Sequence, residues 1–360
     1  MQTSFQVFAL AFVLSHASFA QDAVGQSNID LARVRLCTGC ELKLEAIVSF
    51  GADTGAGMIE SEMTQVTYDA DARTFAAFVR RSSSVLLFDQ NGRYLRTIGR
   101  LGRGPAELFR IVDVQLSGSQ LVLLDMAPKV VVMDLAGQVI SESSLRIPPS
   151  SFRIADDSTL VVGSMIRSRD LVGYPLHLVR KSTGQAIAHF GSLDGQFTAA
   201  EPLSDFVLLG MSSDRNRIWH GRLATLHLEE WSITNRLLRT IKGDIEWFGR
   251  GAESQGGPRV TIQAFGIDDR QRLWVLSQVP DANWREAPRH GNEGYVLEKD
   301  LSQFVDTQVD VFDLASRSHV GRVRFDGSEV GLVMMGSAIR VQRVTVDERH
   351  RTRVVLYGLR

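Results

Sequence analysis

The sequence predicts an all-β protein, a six-bladed β-propeller whose last blade is closed by an N-terminal strand. Three observations predict it. First, an apolar run ending in a polar turn recurs along the chain. It appears as Val85-Leu86-Leu87-Phe88-Asp89, Val130-Val131-Val132-Met133-Asp134, Leu176 to Lys181, Leu226 to Ser232, Val309-Asp310-Val311-Phe312-Asp313 and Val354 to Gly358. Second, aligned on Asp89, the copies fall at 89, 134, 181, 232, 313 and 358, in steps of 45, 47, 51, 81 and 45 residues. Strands average about five or six residues, so four strands with their turns need roughly 40–50. Third, glycine-containing linkers recur between copies, at 51–57, 99–105, 191–195, 243–257 and 327–331. They suit a chain that must cross from the outside of one blade to the centre of the next. A two-layer sandwich would not show a stepped period of this length.

Residues 1–20 carry no charged side chain. Val7 to Leu14 is apolar but shorter than the about 20 residues that span a bilayer. Ser18-Phe19-Ala20 is a small-x-small site. Together these read as a secretory signal peptide cut after Ala20, although only the α-amino group supplies positive charge ahead of the apolar run. The competing reading is a buried N-terminal strand or helix. Residues 21–36 read as a flexible polar segment, and 37–360 as the propeller. An exported chain is extracytoplasmic, periplasmic or secreted. No later segment is long and apolar enough to form a transmembrane helix.

Cys37-Thr38-Gly39-Cys40 holds both cysteines of the chain. In an exported protein an even count favours a disulfide. The loop is short, so the bridge would chiefly pin the chain entering the next strand. The sharper alternatives each lack a part. Haem attachment calls for His after the second cysteine, where Glu41 stands. Zinc would need two more ligands. A reactive thiol pair favours a helix N-terminus, and this segment precedes a strand. Val34-Arg35-Leu36 is not a small-residue lipidation site.

Glu41 to Phe50 then reads as a lone strand, and the last repeat, from about Val330, has room for three strands. The lone strand completes that blade and latches the ring. Within the repeats, further turns precede further apolar runs: Asp69-Ala70-Asp71 before Phe75 to Phe78, Ser117-Gly118-Ser119 before Leu121 to Leu124, and Asp268-Asp269 before Leu273 to Leu276. Asp, Asn, Ser and Gly bend the chain, and β-branched and aromatic runs suit pleated surfaces. Gly99-Arg100-Leu101-Gly102-Arg103-Gly104-Pro105 superficially suggests a phosphate loop. It lacks the Lys-Ser/Thr ending and the following helix, so it reads as a blade linker in which Glu107 can pair with Arg100 or Arg103.

Leu121-Val122-Leu123-Leu124-Asp125 followed by Val130 to Asp134 resembles NHL-type repeats of bacterial envelope propellers. So does Tyr94-Leu95-Arg96-Thr97-Ile98-Gly99 followed by Gly102, Gly104, Pro105 and Glu107. The likeness is clear over about two repeats. It implies the fold more than any activity. Six-bladed relatives include calcium-dependent lactonases and esterases, and NHL-type relatives include a lyase acting on amidated-peptide precursors. Such sites gather acids and histidines from several inner strands around a metal, so no local motif would show.

The long step contains an insertion from about Gln278 to Thr307, in blade five. Loops beyond about 12–15 residues are often functional. This one carries Trp284, Arg285, Arg289, His290 and Tyr295, and aromatic and Arg residues are efficient contact makers. It is expected to overhang one mouth of the channel and bind there; the alternative is a flap packed on the neighbouring blade. No nucleophile elbow, zinc helix or calcium loop occurs. His177, His189, His220, His227, His290, His319 and His350 are scattered, without ligand spacing. Asp113 and Asp205 are candidate acids of a channel calcium site under the enzyme reading. Charge is balanced, with 40 basic and 41 acidic residues and no long basic run, which argues against nucleic acid or an anionic membrane as main partner. The sequence reading is a non-catalytic binding or scaffold propeller, without cofactor, for a peptide, glycan or envelope protein. The alternative is a calcium-dependent lactonase or esterase, or an NHL-type lyase.

Overall fold

The computed structural model describes residues 27–31, 34–61, 63–164, 174–191, 207–223, 225–243, 260–284, 304–327, 330–346 and 351–360. Two strands precede the repeats, β1 (Ser27–Asp30) and β2 (Leu44–Phe50). Blade 1 is β3 (Thr64–Asp69), β4 (Thr74–Val79), β5 (Val85–Asp89) and β6 (Tyr94–Ile98). Blade 2 is β7 (Ile111–Ser117), β8 (Gln120–Asp125), β9 (Lys129–Asp134) and β10 (Val139–Ser144). Blade 3 is β11 (Ser151–Ile154), β12 (Thr159–Gly163), β13 (Leu176–Arg180) and β14 (Ala186–Phe190). Blade 4 begins with β15 (Val207–Leu209). After the short β16 (Met211–Ser212) it continues as β17 (Arg217–Arg222), β18 (Thr225–Ser232) and β19 (Arg236–Gly243). Blade 5 is β20 (Thr261–Ile267), β21 (Arg272–Pro280), β22 (Val305–Asp313) and β23 (Ser318–Asp326). Blade 6 is β24 (Val330–Met335), β25 (Ala338–Val346) and β26 (Thr352–Leu359), with β2 as its outer strand.

The fold is a six-bladed β-propeller closed by an N-terminal strand. β2 pairs antiparallel with β26, from Leu44↔Leu359 to Phe50↔Val354. The repeated position marks the end of the third strand. Asp89, Asp134, Ser232 and Asp313 end β5, β9, β18 and β22, and Lys181 follows β13. Three of these acids cap the next turn. Asp89 accepts the N–H groups of Asn91 and Arg93, Asp134 those of Ala136 and Gln138, and Asp313 those of Ala315 and Ser316. The repeat is legible because each hairpin needs the same local acceptor.

The apolar interior is distributed. Each blade junction among the described residues has its own core, such as Phe78, Leu87, Val114 and Leu123 between blades 1 and 2. Phe50, Phe75 and Val354 fill the closing junction between blades 6 and 1.

Two expectations change, and blade 4 departs from the plain four-strand repeat. Residues 21–36 are not all flexible: Ser27 to Asp30 form β1, parallel to β19, and Ile29 and Leu31 enter the core between blades 4 and 5. An outer strand presents unpaired backbone groups, and this short alternating segment satisfies them. The connection inside blade 5 spans 281–304, because β21 and β22 pair out to Pro280↔Val305. Finally, the inner edge of blade 4 is not a simple strand. The chain leaves β15 at Gly210, and β16 pairs parallel with β20, Met211↔Gly266 and Ser212↔Ile267. A Cβ at Gly210 would come within 2.3 Å of the Phe265 ring.

Cys37 and Cys40 form the disulfide. Their hairpin docks on the outer strand of blade 5. Arg322 donates its N–H to Cys40 O (2.9 Å), Leu42 N–H donates to Arg322 O (2.9 Å), and Cys37 N–H donates to His319 Nδ1 (3.2 Å).

Candidate functional site

Strand direction alternates across a four-stranded meander. The linkers between blades therefore emerge at the same end as the connections between second and third strands. The remaining hairpins lie at the other end. At the hairpin end the connections are short: 70–73, 90–93, 118–119, 135–138, 155–158, 181–185, 233–235, 268–271, 314–317 and 336–337, the longest being 210–216 in blade 4, which contains β16. The linker end carries the long ones, 51–63, 99–110, 164–175, 191–206, 244–260 and 281–304. Binding residues concentrate on such connections because a rigid scaffold can hold them without fixing their sequence. The linker end is the candidate functional face.

Trp284 lies at the start of the 281–304 connection, is buried, and donates its N–H to Asp281 O (3.3 Å). Arg285, Arg289, His290 and Tyr295 lie outside the described residues, as does Asp205. Asp113 sits on β7, the inner strand of blade 2, and serves the ring itself. It accepts the N–H of Val114 (2.8 Å) and that of Phe152 (3.0 Å) on the inner strand of blade 3, with Arg153 Nη1 at 3.9 Å. Burial raises its pKa above the ordinary carboxylate value, opposed by Arg153 and these N–H groups. Gln115 continues the seam. It donates to Phe152 O (2.6 Å) and accepts from Ile154 N–H (3.2 Å). Arg153 passes the link on by donating to Leu209 O (2.7 Å), and Gln342 reaches Thr64 O from blade 6 to blade 1. Inner strands are sheet edges, and these side chains satisfy backbone groups that a neighbouring strand would otherwise take.

The scattered histidines are drawn into pairs. His177 and His189 approach through their Nδ1 atoms (2.6 Å), and burial, with His189 beside it, lowers His177 to about 4. His220 Nε2 bonds Glu229 (2.9 Å), whose same oxygen accepts from Trp231 Nε1 (2.7 Å). Burial opposes ionisation of Glu229, but these donors prevail and lower its pKa. Among the described residues, no three of His, Cys, Asp and Glu stand together as a metal-ligand set.

In the linker between blades 1 and 2 the expected Glu107–Arg100 pair forms beside an arginine cluster that was not anticipated from the sequence. Glu107 pairs with Arg100 (3.1 Å) and accepts Gly104 N–H (2.9 Å), whereas Arg103 lies over the Phe109 ring, 4.4 Å from its centroid. Arg110 lies over the same ring at 5.1 Å. Asp125, wholly buried, accepts the N–H groups of Phe109 (2.6 Å), Arg110 (3.2 Å) and Ala127 (2.8 Å). Arg81 joins from blade 1: its N–H donates to Ile111 O (2.7 Å), and Ile111 N–H returns a bond to Ser82 O (2.7 Å). The only sequence signal was the density of Arg in the glycine linker, which by itself marks solvation as readily as binding.

Comparison with known proteins agrees with the fold. The DUF5128 family model, described as a 6-bladed beta-propeller, matches residues 69–167, from the end of β3 into blade 3. No curated protein sequence matches the chain. Among solved structures, a member of the DUF4221 family from Bacteroides vulgatus is similar, with TM-score 0.62 and 11% identity, over 89% of this chain and 99% of that one. A candidate exported protein from Bacteroides fragilis is similar at TM-score 0.62 and 9% identity, over 93% of this chain and 100% of that one. At these identities the likeness is one of fold.

Proposed function

We propose that the protein is an extracytoplasmic, non-catalytic binding propeller of NHL-like type that recognises a peptide, glycan or envelope protein at the linker-end mouth of its channel. The observation that carries this is the asymmetry of the ring: hairpins at one end are short, several of them capped by Asp, while the long connections leave from the other. Residues 1–20 are its export signal, and the disulfide belongs to an oxidising compartment. The candidate exported protein of similar fold supports the same location. Trp284, Arg285, Arg289, His290 and Tyr295 are the proposed contacts from the insertion, and binding requires no metal or cofactor.

The test is site-specific photocrosslinking in cells. A crosslinker at Leu101 or Met63, both exposed at the linker end, is compared with one at Gln90 or Ala136, exposed in hairpin-end turns. Discrete adducts from the first pair alone are expected. Adducts from the second pair alone, or from neither, overturn the reading.

A further inference from the structure

We infer that the blade 1–blade 2 junction at the linker end is a docking site for an acidic peptide segment, read by Arg81, Arg103 and Arg110 beside Phe109, Leu101 and Met126. This rests on the linker-end reading above and deepens it. The first ground is unbalanced charge. Three carboxylates at this junction are already engaged. Asp125 holds three backbone N–H groups, Glu107 holds Arg100 and Gly104, and Glu142 holds Lys129 (3.2 Å) and Ala106 N–H (3.0 Å). No described carboxylate forms an ion pair with Arg81, Arg103 or Arg110, and all three residues are exposed.

The second ground is order. Phe109 fixes two guanidinium groups, and Asp125 fixes the backbone that carries Phe109 and Arg110. Arranged beforehand, these groups lose less freedom when a ligand arrives. The third ground is backbone strain. Among the described residues outside glycine, positive φ occurs at Arg73, Ser119, Asn235, Gln271 and Arg317, all in hairpin-end turns. The other two cases, Arg81 (φ 71°) and Ala106 (φ 63°), both lie at this junction. Glycine would adopt that conformation without strain, yet Arg stands at 81.

The occupant follows from the surroundings. Leu101 is 70% exposed and Met126 48%, and both flank the cations: Leu101 bridges to Leu108, and Met126 N–H donates to Arg110 O (2.8 Å). Apolar side chains interleaved with guanidinium groups match a peptide that mixes Asp or Glu with apolar residues. A sugar would seek an open aromatic face, and the Phe109 ring already carries two cations.

The experiment measures fluorescence anisotropy of the mature chain with a labelled dodecapeptide of Glu-Glu-Leu repeats, its Gln-Gln-Leu counterpart, and oligogalacturonate as competitor. The acidic peptide is expected to bind at least tenfold more tightly than the amide peptide, and more weakly as salt rises. Arg81→Gly should weaken it about two- to fivefold, as for one exposed ion pair, while the protein melts at or above the parent temperature. The triple variant Arg81→Gly, Arg103→Gln, Arg110→Gln should lose tenfold or more. Equal binding of both peptides, undiminished binding by the triple variant, or oligogalacturonate displacing the acidic peptide at lower concentration than unlabelled peptide each overturns the assignment. Leu101 crosslinking in the parent separates the two readings. Persisting adducts with no acidic-peptide binding sink only the peptide assignment; adducts absent at both Leu101 and Met63 sink the broader one.

Discussion

At the scale of single residues, Asp125 has the clearest energetic role. It is fully buried, and three backbone N–H groups of the blade 1–2 linker and the following turn converge on its carboxylate. Asp125→Ala leaves those donors without their acceptor in a dry site, and each such loss costs about 1–3 kcal/mol before relaxation. The expected destabilisation is about 2–4 kcal/mol in urea titration, with Asp125→Asn milder because its amide oxygen still accepts. Asp89, in an exposed hairpin, makes similar bonds where water can replace them, so Asp89→Ala should cost about 1 kcal/mol or less. His177 sets a pH dependence. Its folded value of about 4 lies below the ordinary 6.5, because burial disfavours the cation. As pH falls, the unfolded chain takes up this proton first. The contribution of His177 to stability is therefore full above pH 6.5, is lost progressively down to about 4, and changes no further below that. The full span is about 3 kcal/mol. Urea midpoints from pH 7 to 5 should fall more steeply for the parent than for His177→Asn; parallel slopes would assign the dependence to other groups.

At the scale of elements, the N-terminal segment is a strap across three blades. β1 extends blade 4, the Cys37–Cys40 hairpin sits on blade 5 through His319 and Arg322, and β2 completes blade 6. His319 is itself held by Asp310 (3.0 Å), which also binds Arg322 (2.8 Å), so the hairpin lands on a braced surface. Closing so short a loop should stabilise the chain by about 2 kcal/mol, and Cys37→Ser with Cys40→Ser should lower the urea midpoint accordingly while leaving the fold. A drop several times larger would mean that the bridge holds the whole strap in register. The sequence made part of this visible. The cysteine spacing and the lone strand after it are local signals, and both led to the observed disulfide and latch. The pairing of β1 with β19 left no such trace. It joins Ser27 to Arg239, and four residues are too few for a periodic pattern to stand out from a polar tether. The same limit hid the inner seam. In the sequence Asp113 is a candidate acid of a channel calcium site under the enzyme reading, and only its distance to Phe152 N–H reveals a clamp between blades. The arginines around Phe109 were visible as letters, but that no described carboxylate pairs with them is a property of three-dimensional placement.

At the scale of the whole molecule, the period of the hairpin caps fixed the blade count, because every blade buries its faces against two neighbours and the cores lie between sheets. Departures from the repeat fall where the ring is specialised: the inner-strand exchange at Gly210, and the long connections of blades 3 to 5. Closure itself is an ordinary antiparallel pairing whose two strands happen to come from opposite ends of the chain. Leu44 faces Leu359, and Arg360 N–H donates to Lys43 O (2.9 Å), so the start of β2 lies beside the end of β26. A two- to four-residue turn can join them, making blade 6 a continuous meander. A permuted chain running from 51 to 359, then through such a turn into 44–50, should therefore fold to the same ring. It lacks β1 and the disulfide hairpin, so its melting temperature should fall below that of the parent by the contribution of the strap. The chain 51–360 without β2 is the control. It exposes the edge of β26 and uncovers Phe50's partners Phe75 and Phe88 (ring centroids at 5.2 and 4.8 Å), and should aggregate or melt without cooperativity. If the permutant also failed, β2 would close the ring only with the strap that leads into it, and blades 4 to 6 would be one cooperative unit bound from outside.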